Sequence, residues 1–121
     1  TYAGHWHVRG YGRWMVEDRA SGEVLGNVGL WYPEGWPEAE IGWTLFEGAE
    51  GRGVAFETAM AARDYAYDTL GWTTAISLIA PDNIRSRMLA KRLGATRDGG
   101  FAHERFGDMQ VWRHPGPGGR A

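Results

Sequence analysis

The chain has 121 residues, is 43% hydrophobic and carries a formal net charge of −2, which predicts one domain able to bury a real core; its 7 Trp, 5 Tyr and 4 Phe exclude the disordered class. The absence of Cys excludes disulfides, thiolate metal ligands and cysteine nucleophiles, and fits a reducing, cytoplasmic setting. Basic residues are dispersed, with Lys91 the only lysine, and no apolar run reaches membrane-spanning length, so neither a nucleic acid nor a membrane is expected as a partner.

The first half reads as an antiparallel meander. Residues 13–19 alternate, with Trp14 and Val16 on one face and Arg13, Met15 and Glu17 on the other. Residues 20–23 (Ala-Ser-Gly-Glu) carry hairpin chemistry, and residues 24–32 resume the sheet, where Gly26 and Gly29 suggest a bulge or a close neighbour. A Pro-Gly loop at 33–37 leads to a third strand at 39–46. The period then changes. Ala55, Ala59, Ala62, Ala66 and Leu70 recur at helical spacing, with Glu57, Arg63, Asp64 and Asp68 expected largely off that stripe. Gly71 stops the helix. Residues 72–80 form an apolar, β-branched run expected as a strand buried on both faces, ended by Pro81. Asp82 or Asn83 caps a second helix that ends at Leu93 with Gly94 as its stop. Residues 101–105 and 109–114 form a final hairpin around Phe106-Gly107-Asp108, and residues 115–121 a flexible tail. The order predicts a mixed α/β (α+β) domain over residues 1–114: a mostly antiparallel sheet with two helices.

The turn Glu47-Gly48-Ala49-Glu50-Gly51-Arg52-Gly53-Val54-Ala55 joins a strand to a helix, a place where backbone N–H groups and a helix N-terminus converge on one point and favour an anion. Gly48 and Gly53 have Walker spacing, but Val54 and Ala55 stand where Lys and Ser/Thr would hold phosphate and Mg²⁺, which argues against a nucleotide triphosphatase. Gly51 and Gly53 begin a dinucleotide fingerprint whose third glycine is Phe56, leaving a dinucleotide-binding domain as a distant alternative.

Two segments taken in order are more specific. Glu40-Ile41-Gly42-Trp43-Thr44-Leu45, followed by Glu50-Gly51-Arg52-Gly53-Val54-Ala55-Phe56-Glu57, resembles the strand and glycine loop of the GNAT superfamily of N-acetyltransferases. Asp82-Asn83-Ile84-Arg85-Ser86, followed by Leu89-Ala90-Lys91-Arg92-Leu93-Gly94, is similar to that family's N-x-x-S helix and its K-x-L-G stop. The flavour is closest to the Rim-type branch, which acetylates ribosomal-protein N-termini and small amines. Glu50 departs from the pattern, standing where relatives carry Trp, Gln or Arg. In the family a strand and two helices precede this point, so the chain is expected to lack the family's first strand and helices.

The resemblance implies a splayed sheet and a division of labour. Acetyl-CoA is the expected co-substrate, with no metal. Its pantetheine amides would pair with backbone groups of Trp43, Thr44 and Leu45, and its pyrophosphate would rest on Gly51, Arg52, Gly53, Val54 and Ala55. Asn83 would bond the pantetheine arm, and Ser86 would stand near the thioester sulfur. The implied reaction is direct attack of a primary amine, from a small molecule or a peptide, on the acetyl carbonyl. Ser86 is the expected donor to the leaving thiolate, a backbone N–H near Leu45 the oxyanion donor, and Glu40, before Glu38, the base. Strand parity puts Glu38 and Glu40 on one face and Trp43 on the other.

Each residue also has a plainer explanation. Ser86 and Asn83 suit a helix N-terminus, Glu40 a solvated strand position, and Arg52 a surface charge. His5 and His7 form an H-x-H pair without an evident third ligand. Trp31, Tyr32 and Trp36 cluster at the Pro-Gly loop, as an acceptor mouth or a protein contact. The competing functional class is a non-catalytic acyl-CoA-binding or interaction module, and a homodimer is left open.

Overall fold

The computed structural model describes residues 12–17, 21, 24–32, 35–45, 53–104 and 107–119. Three strands come first: β1 (Arg13–Glu17), β2 (Val24–Trp31) and β3 (Glu40–Leu45). Then α1 (Val54–Asp68) leads to β4 (Ile76–Ile79), α2 (Ile84–Arg92) and the hairpin of β5 (Thr96–His103) and β6 (Gly107–Arg113). Among the described residues one sheet holds these six strands in the order β1-β2-β3-β4-β6-β5, antiparallel throughout except at β3–β4.

The alternation of β1 is realised, with Trp14 and Val16 half-buried and Met15 58% exposed. The bulge expected near Gly26 lies there: Val16 pairs with Gly26 and Glu17 with Val24, so Leu25 is skipped. In α1 the alanine stripe is buried, and Ala59, Ala62 and Ala66 let the helix lie close against Val28, Leu30 and Ile41 of the sheet. Ile79, Ala90, Ala95 and Trp112 form a second cluster under α2, and the half-buried Trp43 packs against both. By strand parity the third cluster, Ile76, Leu78 and Val111, lies on the opposite face, with Trp36, Phe101 and Met109 against it.

Four expectations are corrected. Arg63 does not lie off the buried stripe of α1. It is 2% exposed, one turn from both Ala59 and Tyr67, and its Nη1 reaches long-range acceptors. The buried strand expected over 72–80 is only four residues long, because Trp72, Thr73 and Thr74 serve to carry the chain from α1 to the sheet. The last hairpin starts earlier than expected, at Thr96, with a register shift between Arg97 and Gly100 that absorbs the Gly-Gly pair. Glu38 lies before β3 rather than on it, so strand parity does not pair it with Glu40.

Helix ends follow their glycines. Gly71, at φ +75°, turns the chain back so that the Trp72 N–H reaches the Ala66 carbonyl at 3.0 Å. The Pro115 carbonyl accepts from Tyr67 Oη at 2.6 Å, which ties the start of the C-terminal segment to α1. No described helix is long and apolar enough to cross a membrane.

Candidate functional site

The single parallel seam of the sheet is also its shortest. β2 and β3 pair over six residues, from Trp31↔Glu40 to Gly26↔Leu45, whereas β3 and β4 pair only at Glu40↔Ile76. At that rung the Ile76 N–H donates to the Ala39 carbonyl at 3.3 Å. A regular parallel ladder would continue with the Leu78 N–H meeting the Ile41 carbonyl. Instead the Leu78 N–H donates to Glu40 Oε2 at 2.7 Å, and the Ile41 carbonyl accepts the Ser77 hydroxyl at 2.6 Å. Beyond this point the strands part around a cleft of about 180 Å³, whose lining includes Glu40, Gly42, Trp43, Leu78, Asn83 and Ser86.

Parity assigns the walls. Because Ile41 turns its carbonyl toward β4, Trp43 and Leu45 present their backbone groups to the same open edge, while Gly42 and Thr44 turn theirs toward β2. Of the three residues expected to offer main-chain amides, Trp43 and Leu45 therefore turn theirs to the open edge, and Trp43 lines the cleft. Thr44 does not, because its groups belong to the β2 ladder.

On the helix-covered face the Trp43 indole N–H donates to Ser86 Oγ at 3.1 Å. The bond joins the two motif segments across 43 positions of sequence. A hydroxyl that accepts from an indole, which can only donate, keeps its own hydrogen for another partner. Asn83 is the N-cap of α2, its Oδ1 accepting from the Ser86 N–H at 3.2 Å. The capping role is thus realised, and the donors left on the Asn83 side chain are those of its amide nitrogen.

On the other face lies Glu40. It is 5% exposed, which corrects the solvated reading, and Trp36 Nε1 donates to its Oε1 at 2.8 Å while Leu78 holds Oε2. Trp36 in turn meets the His103 ring edge-on at 5.3 Å. Glu38, the second candidate base, is bound through both oxygens to Arg113, each at 2.7 Å. That hydrogen bonding, ahead of an opposing desolvation, keeps the Glu38 carboxyl below the usual range and makes it a poorer proton acceptor.

The glycine loop lies partly outside the described residues, Gly51 and Arg52 among them; His5 and His7 also lie outside them. Gly53 is described. It is the N-cap of α1 at φ +73°, and no side chain caps the helix there, so the first-turn amides of Val54 and Ala55 keep no side-chain acceptor of that kind. Arg92, from the last turn of α2, stacks over the Phe56 ring at 4.4 Å and brings a positive charge beside this helix start. Arg92 was not singled out in the sequence, where it reads only as part of the helix stop.

Behind the cleft is a buried polar chain that the sequence also left unassigned. Arg63 Nη1 lies 3.2 Å from His114 Nδ1, and His114 Nε2 lies 2.8 Å from Ser77 Oγ. Arginine only donates, so Nδ1 accepts. Nε2–H then donates to Ser77, whose hydrogen goes to the Ile41 carbonyl. Burial, reinforced by the Arg63 charge, pushes His114 from 6.5 down to about 3 and keeps it neutral, as this arrangement requires. Among the described residues no group of three His, Asp or Glu side chains is placed to hold a metal.

A mixed sheet that opens at one parallel seam and carries a glycine-capped helix after β3 is the architecture that the resemblance implied. Residues 1–96 match the family model of the acetyltransferase (GNAT) domain, and the chain belongs to that family. It is 34% identical over 98 residues to the uncharacterized protein YkkB of Bacillus subtilis (strain 168), covering 74% of this chain and 56% of that one. An acetyltransferase structure from Agrobacterium tumefaciens str. C58 superposes with a TM-score of 0.83 at 38% identity, over 93% of this chain and 66% of that one. The spermidine N-acetyltransferase SpeG of Vibrio cholerae shares the fold at 24% identity, with a TM-score of 0.72 over 93% of this chain and 68% of SpeG. The chain thus spans little more than half of its curated relative.

Proposed function

We propose that this protein transfers an acetyl group from acetyl-CoA to a primary amine by direct attack. The observation that carries the reading is the parting of β3 and β4 after one rung, which leaves the Trp43 and Leu45 backbone edge open opposite Ser86. An extended pantetheine arm would pair with that edge as an added strand does. Asn83 would bond the arm through its amide nitrogen. The amides of Gly53, Val54 and Ala55, with Gly51 and Arg52 before them, would receive the pyrophosphate.

The amine would enter from the opposite face, where Glu40 and Trp36 lie. Glu40 takes the ammonium proton, directly or through a water. A backbone N–H at Leu45 stabilises the developing oxyanion. Ser86, oriented by Trp43, donates to the departing thiolate. Membership of the Rim-type branch is one reading of the acceptor. The fold shared with SpeG supports a polyamine as another, and the carboxylate of Glu40 beside the Trp36 ring suits a small cationic amine.

The test is calorimetry with CoA and acetyl-CoA, followed by thiol release and product mass on peptide N-termini, polyamines and aminoglycosides. Acetylated product with stoichiometric thiol release supports transfer. Tight CoA binding without thiol release on any amine would replace it with the acyl-CoA-binding module, and a Gly53→Glu protein that binds CoA as tightly as the parent would displace the loop assignment.

A further inference from the structure

The cleft begins where the Leu78 N–H and the Ile41 carbonyl decline to pair, although they are complementary and lie at the next rung. Backbone groups in a buried position need partners, and meeting each other would lengthen the seam and shorten the cleft from its closed end. Glu40 takes one of them and already belongs to the site. Ser77 takes the other from the opposite face, and it is itself among the residues that line the cleft.

We infer that Ser77 is a positioning residue: oriented by His114, and through it by Arg63, its hydroxyl holds the Ile41 carbonyl out of the β4 ladder and so fixes where the donor cleft begins. The inference rests on the acyl-transfer reading. Three observations carry it. Ser77, Arg63 and His114 are 1%, 2% and 3% exposed, and polar groups so deep in a small core are unfavourable unless they bond to one another, as these three do. The chain is directional, each donor meeting one acceptor and the last acceptor being the Ile41 oxygen. The same Arg63 Nη1 also donates to the Leu93 carbonyl at 2.6 Å, so the end of α2, whose first turn bears Ser86, is tied to the group that sets the β3 edge. One guanidinium therefore keeps both walls of the cleft in register.

The experiment compares Ser77→Ala, which removes the hydroxyl, with Ser77→Thr, which keeps it, and His114→Phe with His114→Gln, whose amide replaces the Nε2–H donor. Each protein is melted, its Leu78 and Trp43 amide exchange is measured without ligand, and CoA affinity and the kcat and KM of thiol release are determined. For Ser77→Ala, kcat is expected to fall about tenfold to a hundredfold, with weaker CoA binding and altered Leu78 exchange. Ser77→Thr and His114→Gln should restore most of each loss, and His114→Phe should resemble Ser77→Ala. A Ser77→Ala protein that melts lower yet keeps parental Leu78 exchange, CoA affinity and kcat overturns the inference. Should the parent release no thiol with any amine, the transfer reading fails separately, and Leu78 exchange and CoA affinity still decide the role of Ser77. Where Ser77→Ala does not fold, Ser77→Thr decides: parental values uphold the role of the hydroxyl, and loss despite a parental melt overturns it.

Discussion

The two seams that flank β3 are built in opposite ways. Toward β2 the strand is paired by its backbone along its whole length, and its side chains are left to pack: Ile41 under α1, and Trp43 between the two helices. Toward β4 one backbone rung is followed by side chains in the places of the rungs, with Glu40 on one face and Ser77 on the other. Backbone pairing makes a wall, and substituting side chains for it makes an opening whose extent is set by specific residues. The difference separates the part of the sheet that any apolar alternation would build from the part that needs particular polar groups.

Substitutions at the open seam should therefore act on turnover far more than equivalent changes elsewhere. The largest effect is expected for Glu40→Gln, where the amide nitrogen cannot accept from one of the two donors, Trp36 Nε1 or the Leu78 N–H, and the proton acceptor is lost. Turnover on the best amine should fall about 10²- to 10⁴-fold. Parental turnover would reduce Glu40 to a partner of Leu78 and Trp36. Ser86→Ala should lower kcat on the order of tenfold to a hundredfold with little change in CoA affinity; a change in affinity alone would make the hydroxyl a binding group.

The buried chain behind the seam predicts an acid limit. His114 is neutral in the native state down to about pH 3, whereas in the unfolded chain it takes a proton below about 6.5. Its contribution is complete above pH 6.5 and is lost as pH falls toward 3, amounting to a few kcal/mol on the order-of-magnitude scale of linkage. Urea midpoints should fall with acid faster for the parent than for His114→Gln, and parallel curves would show that His114 does not set the limit. The smallest effect is expected at the half-buried Arg113, whose partners Glu38 and Asp98 are 39% and 54% exposed. Arg113→Met should cost less than about 1 kcal/mol and vary with salt. A larger loss would mean that the surface cluster matters as much as the buried one.

Much of the wall was legible in the sequence, because its signals are local. Alternation at Trp14 and Val16, the Ala59–Ala62–Ala66 stripe, Asn83 before α2, and glycines at 71 and 94 each report their own few residues. The opening was legible only as a resemblance. Glu40 carries no sign in the sequence that it is buried, since its partner Leu78 lies 38 positions away. Arg63 was expected off the buried stripe because charge usually marks exposure, and the group that receives it, His114, lies 51 positions on. The Trp43–Ser86 bond was within reach, for parity placed Trp43 opposite Glu40 and the Asn83 cap placed Ser86 in the first helical turn. β4 came out short and β5 long because strand ends follow their pairing partners, which local composition does not encode.

The lone rung at Glu40↔Ile76 has a mechanical consequence. Sheets resist shear because many main-chain bonds share any load, but here β1, β2 and β3 with α1 form one leaf, and β4, β6 and β5 with α2 form another. Between them the backbone offers a single spoke, backed by a carboxylate and a hydroxyl acting as guy ropes from either side. Load between the two leaves therefore falls on side chains, Glu40 and Ser77 at the seam and Arg63 behind it, rather than on a main-chain ladder.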